Sequence, residues 1–159
     1  MASEQSHAYF LQRAIALATR SAQSDGGPFG AVVVHHGEII GQGHNQVTRN
    51  CDPSAHAEIV AIRDACNRLG THHLDGCTIY ASCEPCPMCM SAIYWARIPT
   101  LIYAAASADA ADAGFDDQFI YDELKKPYSE RRIRIQQLER DAAQQSFTAW
   151  KNNQARTDY

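Results

Sequence analysis

Three side chains with the chemistry of zinc ligands occur in two short motifs. The first motif is His56-Ala57-Glu58, and the second, after 26 intervening residues, spans residues 85–89 with the sequence PCPMC. Two thiolates and one imidazole form a borderline-soft donor set that suits zinc. Cysteines three residues apart share one face of a helix, and in its first turn the helix dipole favours their thiolate forms. The spacing therefore predicts one zinc ion per chain, bound by His56, Cys86 and Cys89.

A carboxylate next to this donor set predicts catalysis. Three protein ligands leave one tetrahedral position of zinc open, which is typical of catalytic sites, and a water there has its pKa lowered from about 15.7 to the region of ~7–9. Two thiolates cancel the formal charge of the metal, so a base is still needed to take the proton of the water. Glu58 stands two residues from His56, and at a helix N-terminus both side chains can reach an end-on site. We expect Glu58 to be the general base.

Two other interpretations of the cysteines stay open at this point. Cys83 continues the three-residue spacing and would close the site as a structural Cys3His centre, in which case the chain would be a zinc-binding interaction module. Alternatively, Cys86 and Cys89 alone would form a redox pair. The carboxylate of Glu58 favours the open, catalytic site, because a structural zinc site has no need of it.

The two motifs together match the H-x-E and P-C-x-x-C signature of the zinc-dependent nucleoside and nucleobase deaminases. Within that superfamily the chain resembles the bacterial guanine deaminases over almost its whole length. The stretches that carry the resemblance are residues 27–32, 52–53, 56–58, 82–88, 92–97 and 112–117, Ala149-Trp150 and Tyr159. The resemblance implies hydrolytic deamination of guanine to xanthine and ammonia. Cytosine, ammeline and adenosine in tRNA remain alternative substrates.

Further site residues are implied by the same resemblance. It implies that Asp117 assists the departure of the amino group, and that five residues contact the base: Phe29, Asn45, Ala57, Trp95 and Tyr159. It also implies homodimers in which a C-terminal segment, about residues 130–159, is exchanged, so that Tyr159 serves either its own site or that of the partner. Without the resemblance, simpler roles remain: the aromatic residues as core, Asn45 as a turn residue, Asp117 as a helix cap and Tyr159 as a frayed end.

Hydrophobic periodicity predicts helices and strands in alternation. We predict helices over 6–23, from about 54 to 69, 87–96, 116–124 and 142–153, the last with Asp141 and Gln144 as a capping pair. We predict strands over 30–35, 38–43, 77–82, 100–104 and 133–137, and a loop over 46–52. The run from 77 to 104 predicts a parallel strand pair. The order predicts a single α/β domain over 1–159, a three-layer α/β/α sandwich with a mixed five-stranded sheet, and the resemblance implies the same cytidine deaminase-like fold.

Composition and charge narrow the classes of function. A chain of 159 residues with 45% hydrophobic residues is long enough for one domain with its own core. A net charge of −4 disfavours tight binding to a polyanion, so no nucleic-acid partner is expected. Residues 1–6 are polar, no basic stretch precedes an apolar run, and no segment has the length of a membrane span. We therefore expect a cytoplasmic protein without a signal peptide, in which the six cysteines are thiols or metal ligands.

Overall fold

The structure is a computed structural model that describes residues 6–159. The expectation that no signal peptide is present was based on residues 1–6, and residues 1–5 lie outside the described range. Residues up to Asp117 form one compact unit, and Gln118–Tyr159 form a second one. The first unit contains α1 (His7–Ala22), β1 (Gly30–His35), β2 (Glu38–His44), α2 (Val47–Asn50), α3 (Ala57–Leu69), β3 (Thr78–Cys83), α4 (Pro87–Trp95), β4 (Thr100–Ala105) and α5 (Ser107–Asp112).

The sheet of the first unit is mixed and has the strand order β2-β1-β3-β4. Strand β1 pairs antiparallel with both β2 and β3, whereas β3 and β4 pair in parallel, with Thr78 opposite Thr100. The predicted mixed sheet and the predicted parallel pair are thus confirmed. The predicted number of strands is wrong, because the described residues form four strands and not five.

Alternation along β1 places helices on both faces of the sheet. Ala31 and Val33 belong to a buried cluster that also contains alanines of α3 and Ile93 of α4. Val32 and Val34 belong to a second cluster on the opposite face, together with Phe10 of α1. Since successive side chains of a strand point to opposite faces, the two clusters lie on either side of the sheet. The arrangement is the predicted three-layer α/β/α architecture.

Helix α3 approaches β2 unusually closely. A Cβ atom added at Gly43 would lie 2.4 Å from the carbonyl oxygen of Ala57, and one added at Gly41 would lie 2.5 Å from that of Ala61. Ala57, Ala61 and Ala65 recur at four-residue spacing, so the side of α3 that faces the strand carries only methyl groups. Small residues on both elements therefore fix the position of α3, whose N-terminus carries the first motif.

Two short helices of the first unit were not predicted. Residues 46–52, predicted as a loop, contain the four-residue helix α2. Helix α5 follows β4 directly, and the carboxylate of Asp109 accepts a hydrogen bond from the N–H of Ala106 at 2.8 Å. Neither helix has a buried residue, so neither has the apolar periodicity on which the prediction of helices depends.

The C-terminal unit contains α6 (Gln118–Lys125), a 3-10 turn (Tyr128–Glu130) and α7 (Arg140–Asn152). The prediction of a strand over 133–137 is wrong, because these residues form no strand, and hydrogen bonds that involve side chains tie the residues just before them to α6 and to Lys126. Arg131 Nε donates to the carbonyl oxygen of Lys126 at 3.0 Å, and the N–H of Arg132 donates to Glu123 Oε2 at 2.6 Å. Ile133 is 74% exposed, so no sheet buries the apolar residues of this segment.

The start of α7 also differs from the prediction. The residue before the helix is Glu139, which has a left-handed conformation and makes no side-chain capping bond. Asp141 lies inside the first turn and not before the helix, so the predicted capping pair of Asp141 and Gln144 is wrong. In the first turn its negative charge interacts favourably with the helix dipole. No helix in residues 6–159 has both the length and the apolar character that crossing a bilayer requires.

Candidate active site

The two motifs meet where the N-termini of α3 and α4 come together. His56 is the residue before α3, and Cys86 is the residue before α4; both have extended backbone conformations. Pro87 occupies the first helical position, where the missing N–H of proline leaves no intrahelical bond unmade. Cys89 lies one turn further along and is fully buried. Both helices therefore present a ligand from the end, as the sequence predicts.

The distances within this group fit a metal site. Nδ1 of His56 lies 3.5 Å from Sγ of Cys86 and 3.5 Å from Sγ of Cys89. All three donor atoms lie within 4.8 Å of one another, and they form the one such group in the described part of the chain. Tetrahedral zinc with bonds of about 2.0–2.3 Å requires ligand atoms about 3.3–3.8 Å apart, so this donor set fits zinc.

Electrostatics in the group favour thiolate at Cys86. Hydrogen bonds from Cys89 and then from His56 lower the pKa of the Cys86 thiol to about 4. The bond to Cys86 raises the pKa of Cys89 and is also the main cause that raises the pKa of His56. Cys86 is therefore the thiolate of the group, while Cys89 and His56 retain their protons. A metal ion bound by these three side chains would displace those protons.

Glu58 lies in the first turn of α3 with only 6% of its surface exposed. Its Oε2 lies 3.4 Å from Sγ of Cys89. Burial is the main cause that raises the pKa of the Glu58 carboxyl above its usual range. A buried carboxyl group that binds protons readily beside the donor atoms is suited to proton transfer.

Cys83 does not join the metal-binding group. It is the last residue of β3, and its thiol donates to the carbonyl oxygen of Ala106 at 3.6 Å. In residues 6–159 the side chains that could bind one metal ion are His56, Cys86 and Cys89, so the geometry disfavours the closed Cys3His site. An open coordination position is the arrangement that the catalytic interpretation predicts.

Asn45 is buried at the end of β2, next to the loop before β1. The backbone N–H of Asn45 donates to the carbonyl oxygen of Phe29 at 3.1 Å. The side-chain Oδ1 accepts hydrogen bonds from the backbone N–H groups of Gly27 at 3.4 Å and Val47 at 3.2 Å. An amide oxygen accepts about two hydrogen bonds, so these partners fix the orientation of the side chain. The group that Asn45 can offer a ligand is its Nδ2 donor.

Asp117 is half-buried and lies within electrostatic range of Cys86. Burial raises the pKa of its carboxyl group, and the negative charge of Cys86 raises it further. Phe29 packs against the α3 face of the sheet, and the ring of Phe115 meets it edge-on with 5.0 Å between ring centroids. Asp117 thus lies close to the metal group, while Phe29 forms part of an aromatic pair close to Asn45.

Trp95 and Tyr159 are two aromatic residues among the predicted substrate contacts, one in each unit. Trp95 is the last residue of α4 and is 70% exposed. Eight residues of helix separate it from Pro87, so its backbone lies about 12 Å from the end of α4 that carries the cysteines. Tyr159 lies in the C-terminal unit, where its ring meets that of Trp150 edge-on with 6.3 Å between centroids. Within one chain the structure does not bring Trp95 into the metal group.

Sequence reasoning missed the role of Glu84 in positioning this site. Its N–H donates to the carbonyl oxygen of Ala105 at 2.8 Å, and its Oε2 accepts from the N–H of Ser107 at 3.0 Å. These bonds join the loop that carries Cys86 to the segment that leads to Asp117. No local pattern indicates this pairing, because Ala105 and Ser107 lie more than 20 positions from Glu84 in the sequence. Phe115 was likewise missed, although it lies within one of the stretches that carry the resemblance.

Comparisons with known proteins agree with this geometry. Residues 4–105 match the family model described as the cytidine and deoxycytidylate deaminase zinc-binding region. A guanine deaminase of Bacillus subtilis is 51% identical over 96% of this chain and 99% of its own. A crystal structure of guanine deaminase from that organism superposes with a TM-score of 0.95 over 98% of this chain and 99% of that one, also at 51% identity. A tRNA-specific adenosine deaminase of Aquifex aeolicus is 45% identical, over 61% of this chain and 64% of its own.

Proposed function

This chain belongs to the zinc-binding cytidine and deoxycytidylate deaminase family, and from that membership we propose that it hydrolyses guanine to xanthine and ammonia. The choice of guanine as the substrate rests on how much of the chain is similar to each known deaminase. The likeness to the Bacillus subtilis guanine deaminase includes the C-terminal unit, whereas the likeness to the Aquifex aeolicus tRNA-specific adenosine deaminase covers 61% of the chain. The greater extent of the likeness to the guanine deaminase favours guanine over adenosine in tRNA as the substrate.

His56, Cys86 and Cys89 would hold the zinc ion. When bound, zinc acts as a Lewis acid and lowers the pKa of a water molecule in its open position. Burial of Cys89 keeps bulk water away from one side of the site, while the partly exposed His56 and Cys86 lie on the side that a substrate can reach. A substrate would therefore reach the metal from the side of His56 and Cys86.

Glu58 carries protons in this proposal. Its carboxylate accepts the proton of the attacking water and delivers it to the ring nitrogen next to C2 of guanine. Because burial raises the pKa of Glu58, the protonated carboxyl group is accessible during the reaction. Glu58 then takes the proton of the hydroxyl group now on C2 and passes it to the departing amino group, which leaves the carbonyl group of xanthine; the net reaction consumes one water molecule and releases one ammonia.

Asn45 and Ala57 would orient the purine. Since Oδ1 of Asn45 is occupied by Gly27 and Val47, its Nδ2 donates to an acceptor atom on the guanine edge. Ala57 is the first residue of α3, where backbone N–H groups have no intrahelical partner, and its N–H provides a second donor. Phe29 provides an aromatic face for the base, a contact worth ~1–3 kcal/mol in nucleic-acid sites.

Asp117 would assist ammonia release. Guanine has an exocyclic amino group and a ring N–H, both of which donate to a carboxylate. Burial is the main cause that raises the pKa of Asp117. Because of this raised pKa, Asp117 can hold a proton close to the reacting centre. Asp117 therefore complements Glu58, since one group carries protons to the ring while the other meets the leaving amino group.

We also propose that the enzyme is a homodimer in the cytoplasm, where thiolate ligands stay reduced. Tyr94 and Trp95 are 78% and 70% exposed, and Phe147 of α7 is 58% exposed. Adjacent exposed aromatic residues are typical of interfaces, and a second copy of the chain would bury them. In such a dimer residues 130–159 complete the single deaminase domain of the partner, and Trp95 and Tyr159 act at the site across the interface.

Light scattering tests the dimer. We expect a mass of twice the 17.6 kDa chain, and a lower mass for Trp95→Glu. Arg13→Glu, an exposed change of charge on α1, is the control and should leave the mass unchanged. A monomer that turns over guanine at full rate would rule out the proposed contribution of the partner.

A substrate panel tests the function. Purified protein with measured zinc content is given guanine, and in parallel cytosine, adenine, ammeline and tRNA with adenosine at the target position. We expect ammonia from guanine with an equal amount of xanthine. Turnover of another base without turnover of guanine would keep the zinc mechanism and overturn the assignment of the base-binding residues.

A further inference from the structure

A second pocket, separate from the metal group, lies at the C-terminal end of α1. Its volume is about 250 Å³, and its walls consist of six residues of the first unit: Leu17, Arg20, Ser21, Ser24, His44 and Arg49. None of them is a zinc ligand, a proton carrier or a base contact in the proposed function. Two arginines, both exposed, and one histidine thus contribute to the lining of a small pocket in a chain whose net charge is −4.

The two arginines have no carboxylate partner in the described residues. The ion pairs of residues 6–159 that include arginine involve Arg63, Arg132, Arg140 and Arg156. Arg20 and Arg49 form none, although the chain has 18 acidic against 14 basic residues. Their positive charges are therefore not neutralised across the pocket by a neighbouring acid.

Other side chains fix the walls of the pocket and leave the arginines to bind. Ser21 Oγ donates to the carbonyl oxygen of Asn45 at 3.3 Å, and Ser24 Oγ donates to that of Arg20 at 3.1 Å. His44 Nδ1 lies 3.1 Å from the carbonyl oxygen of Asn45 and donates to it, so His44 also belongs to the fixed wall of the pocket. The hydroxyl protons are thus used within the wall.

We propose that this pocket binds a phosphate-class oxyanion through Arg20 and Arg49. Guanidinium groups form bidentate, charge-assisted hydrogen bonds with phosphate oxygens, and a pocket of this volume accepts a single phosphate group. The anion is either free phosphate or the phosphate of a small monoester. The pocket shares no residue with the metal group, although its residues Ser21 and His44 contact the backbone of Asn45.

Arg20 also lies in the last turn of α1, where a positive charge stabilises the helix dipole. The test must therefore separate a ligand-binding role from a structural one. Arg13 provides the control, because it is exposed on the same helix and does not line the pocket. Arg13→Gln and Arg20→Gln remove the same charge from one element.

Isothermal titration of the zinc-loaded enzyme with inorganic phosphate, and separately with ribose 5-phosphate, at constant ionic strength tests the proposal. We expect Arg20→Gln and Arg49→Gln each to weaken binding about tenfold, and Arg13→Gln to leave it unchanged. Tighter binding of the sugar phosphate identifies a monoester as the ligand, and equal binding identifies free phosphate. Three results would overturn the proposal: no binding of either anion, equal weakening in all three variants, or a lowered melting temperature of Arg20→Gln with unchanged binding.

Discussion

A methyl group at Gly43 should displace the catalytic helix. The Cβ of Gly43→Ala would lie 2.4 Å from the carbonyl oxygen of Ala57 and 2.7 Å from the backbone nitrogen of Ala61. Nonbonded heavy atoms normally stay about 3.5 Å apart, so α3 must move from β2 by about 1 Å. Both contacts are to backbone, and no side-chain rotation relieves them.

The magnitude follows from the packing. Adding one methyl group to a filled interface destabilises by about 1–3 kcal/mol. For a chain of this length each kcal/mol lowers the melting temperature by about 2–4 °C, so a fall of roughly 2–12 °C is expected. Because His56 and Glu58 stand at the start of α3, a shift of about 1 Å should also reduce the rate of guanine turnover by about 10²-fold.

The assay compares Gly43→Ala with Gln42→Ala. Gln42 is the neighbouring residue of β2, its side chain is exposed, and its backbone hydrogen bond to Asp64 survives the change. Melting temperature, zinc content and turnover per bound zinc are measured for both proteins. If Gly43→Ala matched the wild type in all three, the close approach of α3 to β2 would not be what positions the site.

Three further changes test individual residues. Glu58→Gln should retain zinc and lose about 10²–10⁴-fold in turnover, as shown by metal analysis and ammonia release, and a fully active variant would contradict proton transfer by this group. Cys86→Ala should lose the metal, whereas Cys51→Ala, at an exposed position, should keep it; stoichiometric zinc in Cys86→Ala would refute the ligand assignment. Asn45→Asp keeps the acceptor for Gly27 and Val47 but removes the Nδ2 donor, so kcat/KM for guanine should fall about 10-fold or more, and an unchanged kcat/KM would exclude this contact.

The metal group was predictable from sequence because local chemistry specifies it. His56, Cys86 and Cys89 are recognisable as soft donors, and the spacing of the cysteines places them on one helical turn wherever that helix lies. The boundaries of β1 match the prediction and those of α1 differ from it by one residue, because each element has buried side chains at regular intervals. In α1 and β1 the apolar residues that form the sequence pattern include most of the residues that are buried in the structure.

The C-terminal unit was less predictable for a physical reason. Its helices bury no residue within the chain, so their apolar positions do not indicate which elements pack together. Ile133 and Ile135 alternate like the residues of a strand, but both are exposed and the segment forms no strand, so no sheet buries them. The close contact between Gly43 and Ala57 was equally hidden, since it joins two elements and involves residues without functional groups.

Zinc titration of the metal-free enzyme tests the central claim most directly. The protein is stripped by a chelator, zinc is added back in measured steps, and ammonia released from guanine is recorded at each step. Turnover should rise in proportion to zinc and level off at one ion per chain, because His56, Cys86 and Cys89 form a single site. Full turnover in the stripped protein, or a plateau well beyond one ion per chain, would contradict this account.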